Sequence, residues 1–104
     1  MSIVHLAFFQ WRQNLSAPEL AALRQGFAEL QAVIPEIKSF RWIRNNSTEG
    51  LDKGFQEGIC LEFDDAPARQ RYLEHPAHVA FARETVIPAL ERGLDSVLVF
   101  DYEK

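Results

Sequence analysis

The first strand that the pattern of apolar residues predicts is apolar on both of its faces. The run Ile3–Phe9 is rich in β-branched, aromatic and aliphatic residues, which favour a β-strand. Its single polar residue is His5, which shares a face with Ala7 and Phe9 because side chains alternate along a strand. A strand that is apolar on both faces has to be covered on both faces, so this pattern predicts a packed layer on each side.

A helix is predicted after this strand. Ser16 and Glu19 have the spacing of a capping box, which predicts a helix that begins after Ser16. The helix is expected to run to about Val33, and Pro35 lies just beyond its end. Apolar residues recur along it every three or four positions and form one stripe, which consists of Leu20, Leu23, Phe27, Leu30 and Ile34.

Two further strands are predicted on either side of a polar loop. The second strand is Ile37–Ile43, the loop is Arg44–Gly54 with its run of Asn, Ser, Thr and Gly, and the third strand is Gly54–Phe63. Glu57 is the one charged member of a face of the third strand that is otherwise apolar. A carboxylate at such a position is a candidate for chemistry.

Pro76 divides the second helical region. A helix capped by Asp64 or Asp65 is expected to end near Glu74, because the residue before a proline avoids helical geometry. A second segment begins at Pro76, a favoured first helical position, and is expected to stop near Gly93. The pattern therefore predicts a broken helix with polar side chains on both sides of the break.

The remainder of the chain completes a mixed architecture. Pro88 is expected to kink or restart the segment that begins at Pro76, and the last strand is Asp95–Tyr102. The order strand, helix, strand, strand, helix, strand predicts an α+β, ferredoxin-like βαββαβ unit with a four-stranded antiparallel sheet, in one domain over residues 1–104.

The helices of such a unit cover only one face of the sheet. The last strand nevertheless carries apolar residues on both faces, with Val97 and Val99 alternating with Leu98, Phe100 and Tyr102. We therefore predict a homodimer in which two sheets pack face to face, and we expect Cys60 at that interface.

Composition narrows the functional classes. Apolar residues make up 47% of the chain and charged residues 25%, which is ordinary for a globular domain. The net charge of −4 offers no basic surface for nucleic acid or for an anionic membrane. A single cysteine, with neither a signal peptide nor an apolar run of membrane-spanning length, leads us to expect a cytoplasmic protein.

Candidate chemistry is concentrated around the helix break. Tyr72 is expected to project from the end of one helix and His78 from the first turn of the next, while His75 precedes Pro76 directly. If Glu57 also faces the helices, it could meet His5 across the sheet and His78 from above. The walls of this ligand pocket are predicted to come from Phe9, Leu23, Phe27, Ile59, Leu61, Phe81, Val97 and Val99.

Each polar candidate also has a structural interpretation. His5 is equally well explained as a buried, hydrogen-bonded histidine, and Glu57 as its structural partner. His75 is expected to cap the helix that follows it or to lie at the pocket mouth. His5, His78 and Glu57 have the donor types of a two-histidine, one-carboxylate metal site, but their spacing matches no metal motif, so no metal or cofactor is assigned.

The two tryptophans offer a further alternative. Trp11 and Trp42 would suit a cofactor-free oxygenase, but tryptophans at strand positions more often belong to a core or an interface.

Taken together, these residues resemble a known family. The chain is similar to stress-responsive A/B barrel (Dabb) domains, one branch of the dimeric α+β barrel proteins. The matching segments are Val4-His5-Leu6 with Phe8, Ile34-Pro35-Glu36-Ile37, Phe40 and Trp42, Gly54-Phe55, Phe63, Tyr72-Leu73-Glu74-His75-Pro76-Ala77-His78 with Phe81, and Val99-Phe100-Asp101-Tyr102. The resemblance implies a barrel formed by two sheets at a dimer interface and a pocket in each subunit between its sheet and helices.

The resemblance also implies a chemistry. Members similar to plant polyketide cyclases use a tyrosine and a histidine at the positions of Tyr72 and His78. His78 would remove a proton next to a carbonyl group while Tyr72 polarises the carbonyl oxygen. Where those cyclases carry a further histidine, this chain has Glu57.

Two interpretations of the protein stay open on the sequence alone. One is a dimer that binds a hydrophobic or carbonyl-bearing ligand, with lyase- or cyclase-type chemistry. The other is a non-catalytic stress-response or ligand-carrying dimer in which the polar cluster is structural.

Overall fold

The computed structural model describes residues 1–104. Four strands and four α-helices make up the fold, with a π-helical turn at Ala82–Val86 and a 3₁₀ turn at Gly93–Ser96. In chain order the elements are β1 (Ile3–Phe9), α1 (Ala17–Val33), β2 (Ser39–Arg44), β3 (Glu57–Phe63), α2 (Ala66–Glu74), α3 (Pro76–Phe81), α4 (Ile87–Ala89) and β4 (Val97–Glu103).

The strands form one antiparallel sheet in the order β2-β3-β1-β4. This order confirms the predicted ferredoxin-like α+β fold, in which the two central strands, β1 and β3, pair with each other. The register places His5 opposite Leu61 on one side and Asp101 on the other. His5, Leu61 and Asp101 are therefore direct neighbours across β3, β1 and β4.

Local signals determined where the helices begin and end. Ser16 caps α1 in a full capping box. The Glu19 N–H donates to the Ser16 hydroxyl, and the Ser16 N–H donates to the Glu19 carboxylate. Asp65 rather than Asp64 caps α2, where it accepts a hydrogen bond from the Ala68 N–H. Helix α2 ends at Glu74 and α3 begins at Pro76, so the predicted break is confirmed.

Several predicted boundaries were wrong by a few residues. Strand β2 begins at Ser39 rather than Ile37, and β3 begins at Glu57 rather than Gly54. Gly54 has a φ of 90°, and its N–H donates to the Asp52 side chain, so a turn occupies the expected start of β3. The helical segment after Pro76 ends at Ala89 rather than near Gly93.

The core lies between the sheet and the helices. Leu23, Phe27 and Leu30 of α1 are buried against it, as the helical stripe predicts. The other face of the sheet has no covering layer on β4, where Leu98, Phe100 and Tyr102 are 51%, 61% and 47% exposed. None of the helices combines the length and the apolar character that a membrane crossing requires.

Candidate functional site

A cavity of about 320 Å³ lies between the sheet, α1 and the helices of the second half of the chain. Its lining is mainly apolar, and the predicted wall residues Phe9, Phe27, Ile59, Phe81, Val97 and Val99 all contribute to it, whereas Leu23 and Leu61 are core residues outside it. Four lining residues carry polar groups, namely His5, Tyr72, His78 and Asp101. An apolar cavity with a few convergent polar groups is the usual form of a small-molecule site.

A larger depression of about 510 Å³ lies on the opposite face of the sheet, beside Phe8, Gly58 and Leu98. Glu57 is the one candidate site residue in its lining, whereas none of the three histidines lines it and neither does Tyr72. The chemistry that the sequence predicts is therefore associated with the smaller cavity.

His78 is held in one orientation at the start of α3. Its Nδ1 lies 3.1 Å from the backbone oxygen of Leu73, and since a carbonyl only accepts, Nδ1 carries the proton of this bond. In the neutral ring Nε2 is then a free acceptor, as a general base requires. Burial lowers the pKa of His78 below its usual range, against the smaller opposing effect of the Leu73 carbonyl, so the neutral form predominates at neutral pH.

Tyr72 lies beside both of the imidazoles that line the cavity. Its side chain projects from the last turn of α2, with its ring centroid 4.4 Å from that of His78 and 5.9 Å from that of His5. Tyr72 is only 1% exposed, and burial raises the pKa of its hydroxyl well above the usual range. The phenol therefore stays protonated at neutral pH and can act as a hydrogen-bond donor.

His5 belongs to a chain of polar groups that extends across the sheet to α2. Its Nδ1 lies 2.8 Å from Asp101 Oδ1, and Arg69 Nη1 lies 3.1 Å from Asp101 Oδ2. Because the carboxylate accepts from both, it holds the Nδ1–H tautomer of His5 and leaves Nε2 unbonded. Both His5 and His78 thus use Nδ1 for a structural hydrogen bond.

Sequence reasoning missed the two partners of His5. Because side chains alternate along a strand, Asp101 shares the face of Val97 and Val99, and the β1–β4 register pairs it directly with His5. The predicted antiparallel pairing of the terminal strands was the signal that could have found it. Arg69 carried no such signal, because its contact with Asp101 depends on where α2 packs over the sheet.

Glu57 does not join the other candidates, contrary to the expectation that it could meet His5 and His78. It pairs with Phe9 of β1, four positions along β3 from the partner of His5, or about 13 Å at the usual strand rise. Its Oε2 instead accepts hydrogen bonds from Trp42 Nε1 at 2.8 Å and from Arg24 Nη2 at 2.9 Å. The predicted structural pairing of Glu57 with a histidine was therefore wrong, because Trp42 and Arg24 are the partners of its carboxylate.

The same placement separates the three donors of the candidate metal site. His5 and His78 line the cavity, whereas Glu57 lies outside its lining. No group of three or more His, Cys, Asp or Glu side chains has the arrangement needed to hold a metal ion.

His75 is a helix cap. Its Nδ1 accepts a hydrogen bond from the Ala77 N–H at 3.0 Å, and the residue lies outside the cavity lining. Of the two positions expected for His75, the structure shows the cap and not the pocket mouth. His75 therefore positions α3, which carries His78.

The sequence of this chain is similar to that of known proteins. A sequence model described as Stress responsive A/B Barrel Domain (Dabb) matches residues 3–104. The stress-response A/B barrel domain-containing protein HS1 of Arabidopsis thaliana is 32% identical over 101 residues, which cover 97% of this chain and 88% of that protein. Olivetolic acid cyclase of Cannabis sativa is 22% identical over 102 residues, 98% of this chain and 96% of the cyclase.

Solved structures agree on the fold. A dimeric ferredoxin-like protein of unknown function from Jannaschia sp. CCS1 superimposes with a TM-score of 0.85 at 21% identity, and the match covers 100% of both chains. At this identity the likeness concerns the fold alone.

Proposed function

The chain belongs to the stress-responsive A/B barrel (Dabb) domain family, and from this premise we propose that it forms a homodimer whose subunits each bind a small apolar, carbonyl-bearing molecule. The observation that carries the proposal is the convergence of Tyr72 and His78 on a cavity whose lining is otherwise mainly apolar. The phenol suits a carbonyl oxygen, and the apolar walls suit the hydrocarbon part of the ligand.

The dimer is proposed from the uncovered face of the sheet. Leu98, Phe100 and Tyr102 expose about half of their surface or more on β4, and contiguous exposed apolar residues mark interaction sites. A second copy of the same sheet would cover them in a symmetric, face-to-face packing. Sedimentation at micromolar concentration should give twice the chain mass of 11.9 kDa, and a species of 11.9 kDa alone would contradict the dimer.

The ligand is oriented by the positions of its polar and apolar partners. Tyr72, with its raised pKa, donates a hydrogen bond to the carbonyl oxygen, and His78 Nε2 faces the neighbouring carbon. Leu94 and Val99 line the cavity and are 71% and 55% exposed, so the cavity opens to solvent between them. The ligand enters on this side and directs its apolar part towards Phe9 and Phe27.

The same geometry supports lyase- or cyclase-type acid–base chemistry. His78 Nε2 takes a proton from the carbon next to the carbonyl, the electron pair of the broken C–H bond passes into the carbonyl, and the hydrogen bond from Tyr72 stabilises the resulting enolate oxygen. The enolate is the nucleophile that an aldol ring closure needs. The relative named as a cyclase makes this class of reaction the one to test first.

Proton abstraction can be measured without knowing the natural substrate. Ethyl benzoylacetate in D₂O exchanges the protons between its two carbonyl groups, and proton NMR follows the exchange. We expect the protein to accelerate this exchange above the buffer rate. His78→Ala should lower the protein-dependent rate by about 10²- to 10⁴-fold as a lost general base, and Tyr72→Phe by about 10²-fold as a lost hydrogen-bond donor.

Arg44→Gln serves as the control, because Arg44 is exposed and lies outside the cavity lining. It should leave the exchange rate unchanged. Circular dichroism of each variant separates loss of chemistry from loss of fold. Equal exchange rates in the wild type and in a folded His78→Ala protein would contradict the catalytic proposal.

The second candidate function, a non-catalytic carrier, is favoured by one observation. Each polar group around Tyr72 already has a structural partner, with His5 bonded to Asp101 and His78 to Leu73. In that case acetophenone added to ¹⁵N-labelled protein shifts the backbone amide signals of cavity residues, while the exchange of ethyl benzoylacetate stays at the buffer rate.

A further inference from the structure

Glu57 is a buried carboxylate that the proposed chemistry does not use. It is 8% exposed, and a single oxygen, Oε2, accepts hydrogen bonds from both Trp42 Nε1 and Arg24 Nη2. Arg44 Nε lies 3.9 Å from the same oxygen, but the Arg44 side chain is 73% exposed. Burying a carboxylate is costly unless it is paired, and Trp42 and Arg24 supply the pairing of Glu57.

The residues around Glu57 lie behind the apolar end of the cavity in two aromatic layers. Phe9 and Phe27 line the cavity, with ring centroids 5.4 Å apart. Behind them lie Trp11, with its centroid 4.8 Å from that of Phe9, and Trp42, 5.8 Å from Phe27. The two indoles are nearly parallel, at an interplanar angle of 4° and a centroid separation of 6.4 Å.

Trp42 is held from two directions. Its edge donates the hydrogen bond to Glu57, and the Arg24 guanidinium lies 5.4 Å from the centroid of its ring, within the range of a cation–π contact. Since Arg24 also donates a hydrogen bond to Glu57, each of the three side chains contacts the other two and restricts their movement. Because Trp42 packs against Phe27 and does not line the cavity, it restricts how far Phe27 can move back from the cavity.

We infer that Trp42, held by Glu57 and Arg24, determines the length of the ligand that the cavity accepts. This inference rests on the proposed ligand binding, with the carbonyl at Tyr72 and the apolar part at Phe27. The cavity of about 320 Å³ is near the lower limit for small-molecule sites, so the end wall leaves room for a short apolar substituent only. The ligand class is a carbonyl compound with a short hydrocarbon tail.

A series of straight-chain alkyl phenyl ketones, from acetophenone to decanophenone, tests this length limit. Dissociation constants are measured by NMR titration of ¹⁵N-labelled protein. In the wild type each added methylene should tighten binding about fourfold until the tail reaches Phe27, after which affinity should stop rising. Trp42→Ala should move the limit to longer ketones, with about 15-fold tighter binding of the ketone that is two methylenes beyond the wild-type limit.

Matched variants identify what holds the indole. Arg24→Gln removes a guanidinium that touches both Glu57 and Trp42, and Arg44→Gln removes an exposed one near the same carboxylate. Arg24→Gln should move the limit to longer ketones, and Arg44→Gln should not. Glu57→Gln keeps an acceptor for Trp42 Nε1 but loses the charge, so its effect should be smaller than that of Glu57→Ala. If Trp42→Ala does not fold, Trp42→Phe makes the same test with less loss of packing.

Hydrogen exchange of the Trp42 indole N–H gives a readout that needs no ligand. It should be slow in the wild type and fast in Glu57→Ala. A length limit that is the same in the wild type and in the folded Trp42 variant would overturn the inference while leaving ligand binding intact. If no ketone binds to any variant, the binding proposal and the length limit both fail.

Discussion

The two ends of the cavity use polar groups in opposite ways. At the imidazole end, His5 and His78 each donate a hydrogen bond from Nδ1 to a protein acceptor and leave Nε2 without a hydrogen bond. Tyr72 lies beside them and remains a protonated donor. At the aromatic end, the carboxylate of Glu57 is used by Trp42 and Arg24 behind a wall of phenylalanines. The comparison shows that burial alone does not identify a reactive group, because a reactive group also needs an atom that the fold leaves unbonded and facing space.

The largest effect is expected from removing the carboxylate at the aromatic end. Glu57→Ala leaves Trp42 Nε1 and Arg24 without their acceptor and should lower the free energy of unfolding by about 3 kcal/mol, because two hydrogen bonds to a charged acceptor are lost. Urea denaturation measures the change. Arg44→Gln, at an exposed site, should change stability by less than about 0.5 kcal/mol. Equal losses in the two variants would remove the distinction between the two arginine contacts.

A smaller loss is expected at the imidazole end. Asp101→Asn replaces the carboxylate that accepts from both His5 and Arg69, and it should cost about 2 kcal/mol as a lost charge-assisted hydrogen bond. Nitrogen chemical shifts of His5 should also show a loss of its single tautomer. If His5 keeps one tautomer in Asp101→Asn, then Asp101 does not orient the ring.

Gly26→Ala affects the wall between the two ends. A Cβ at Gly26 would collide with the ring of Phe81, which lines the cavity and packs against Phe27 at a centroid distance of 4.9 Å. The overpacking outweighs the gain in helix propensity, so a net loss of about 1 kcal/mol is expected, measured by thermal denaturation. The double variant Gly26→Ala with Phe81→Leu should recover stability, and no recovery would locate the strain elsewhere.

The smallest effect is a pH dependence of stability that arises at the imidazole end. The pKa of His78 is lowered in the folded chain because of burial, so the unfolded chain binds a proton more readily. The free energy of unfolding should therefore fall as the pH drops below the ordinary imidazole value of about 6.5 and passes through the folded pKa. Urea titrations at several pH values measure this, and His78→Gln should flatten the curve in that range.

Local features of the chain predicted most of the fold. The capping box of Ser16 and Glu19 and the helix break at Pro76 were correct because each depends on residues close together in sequence. The start of β3 was wrong by three residues because Asp52 binds the N–H of Gly54 and organises a turn there. Strand alternation also placed Phe9, Ile59 and Val99 correctly on the cavity side of the sheet.

The sequence by itself determined the elements, the face of each strand, and the presence of Tyr72 and His78 on either side of one helix break. Only the tertiary structure decided which polar groups meet. Strand register paired His5 with Asp101 and moved Glu57 to the far end of the sheet, and the packing of α1 brought Arg24 to that carboxylate. The physical reason is that periodicity specifies the direction of a side chain, whereas its partners depend on alignment between segments that are distant in sequence.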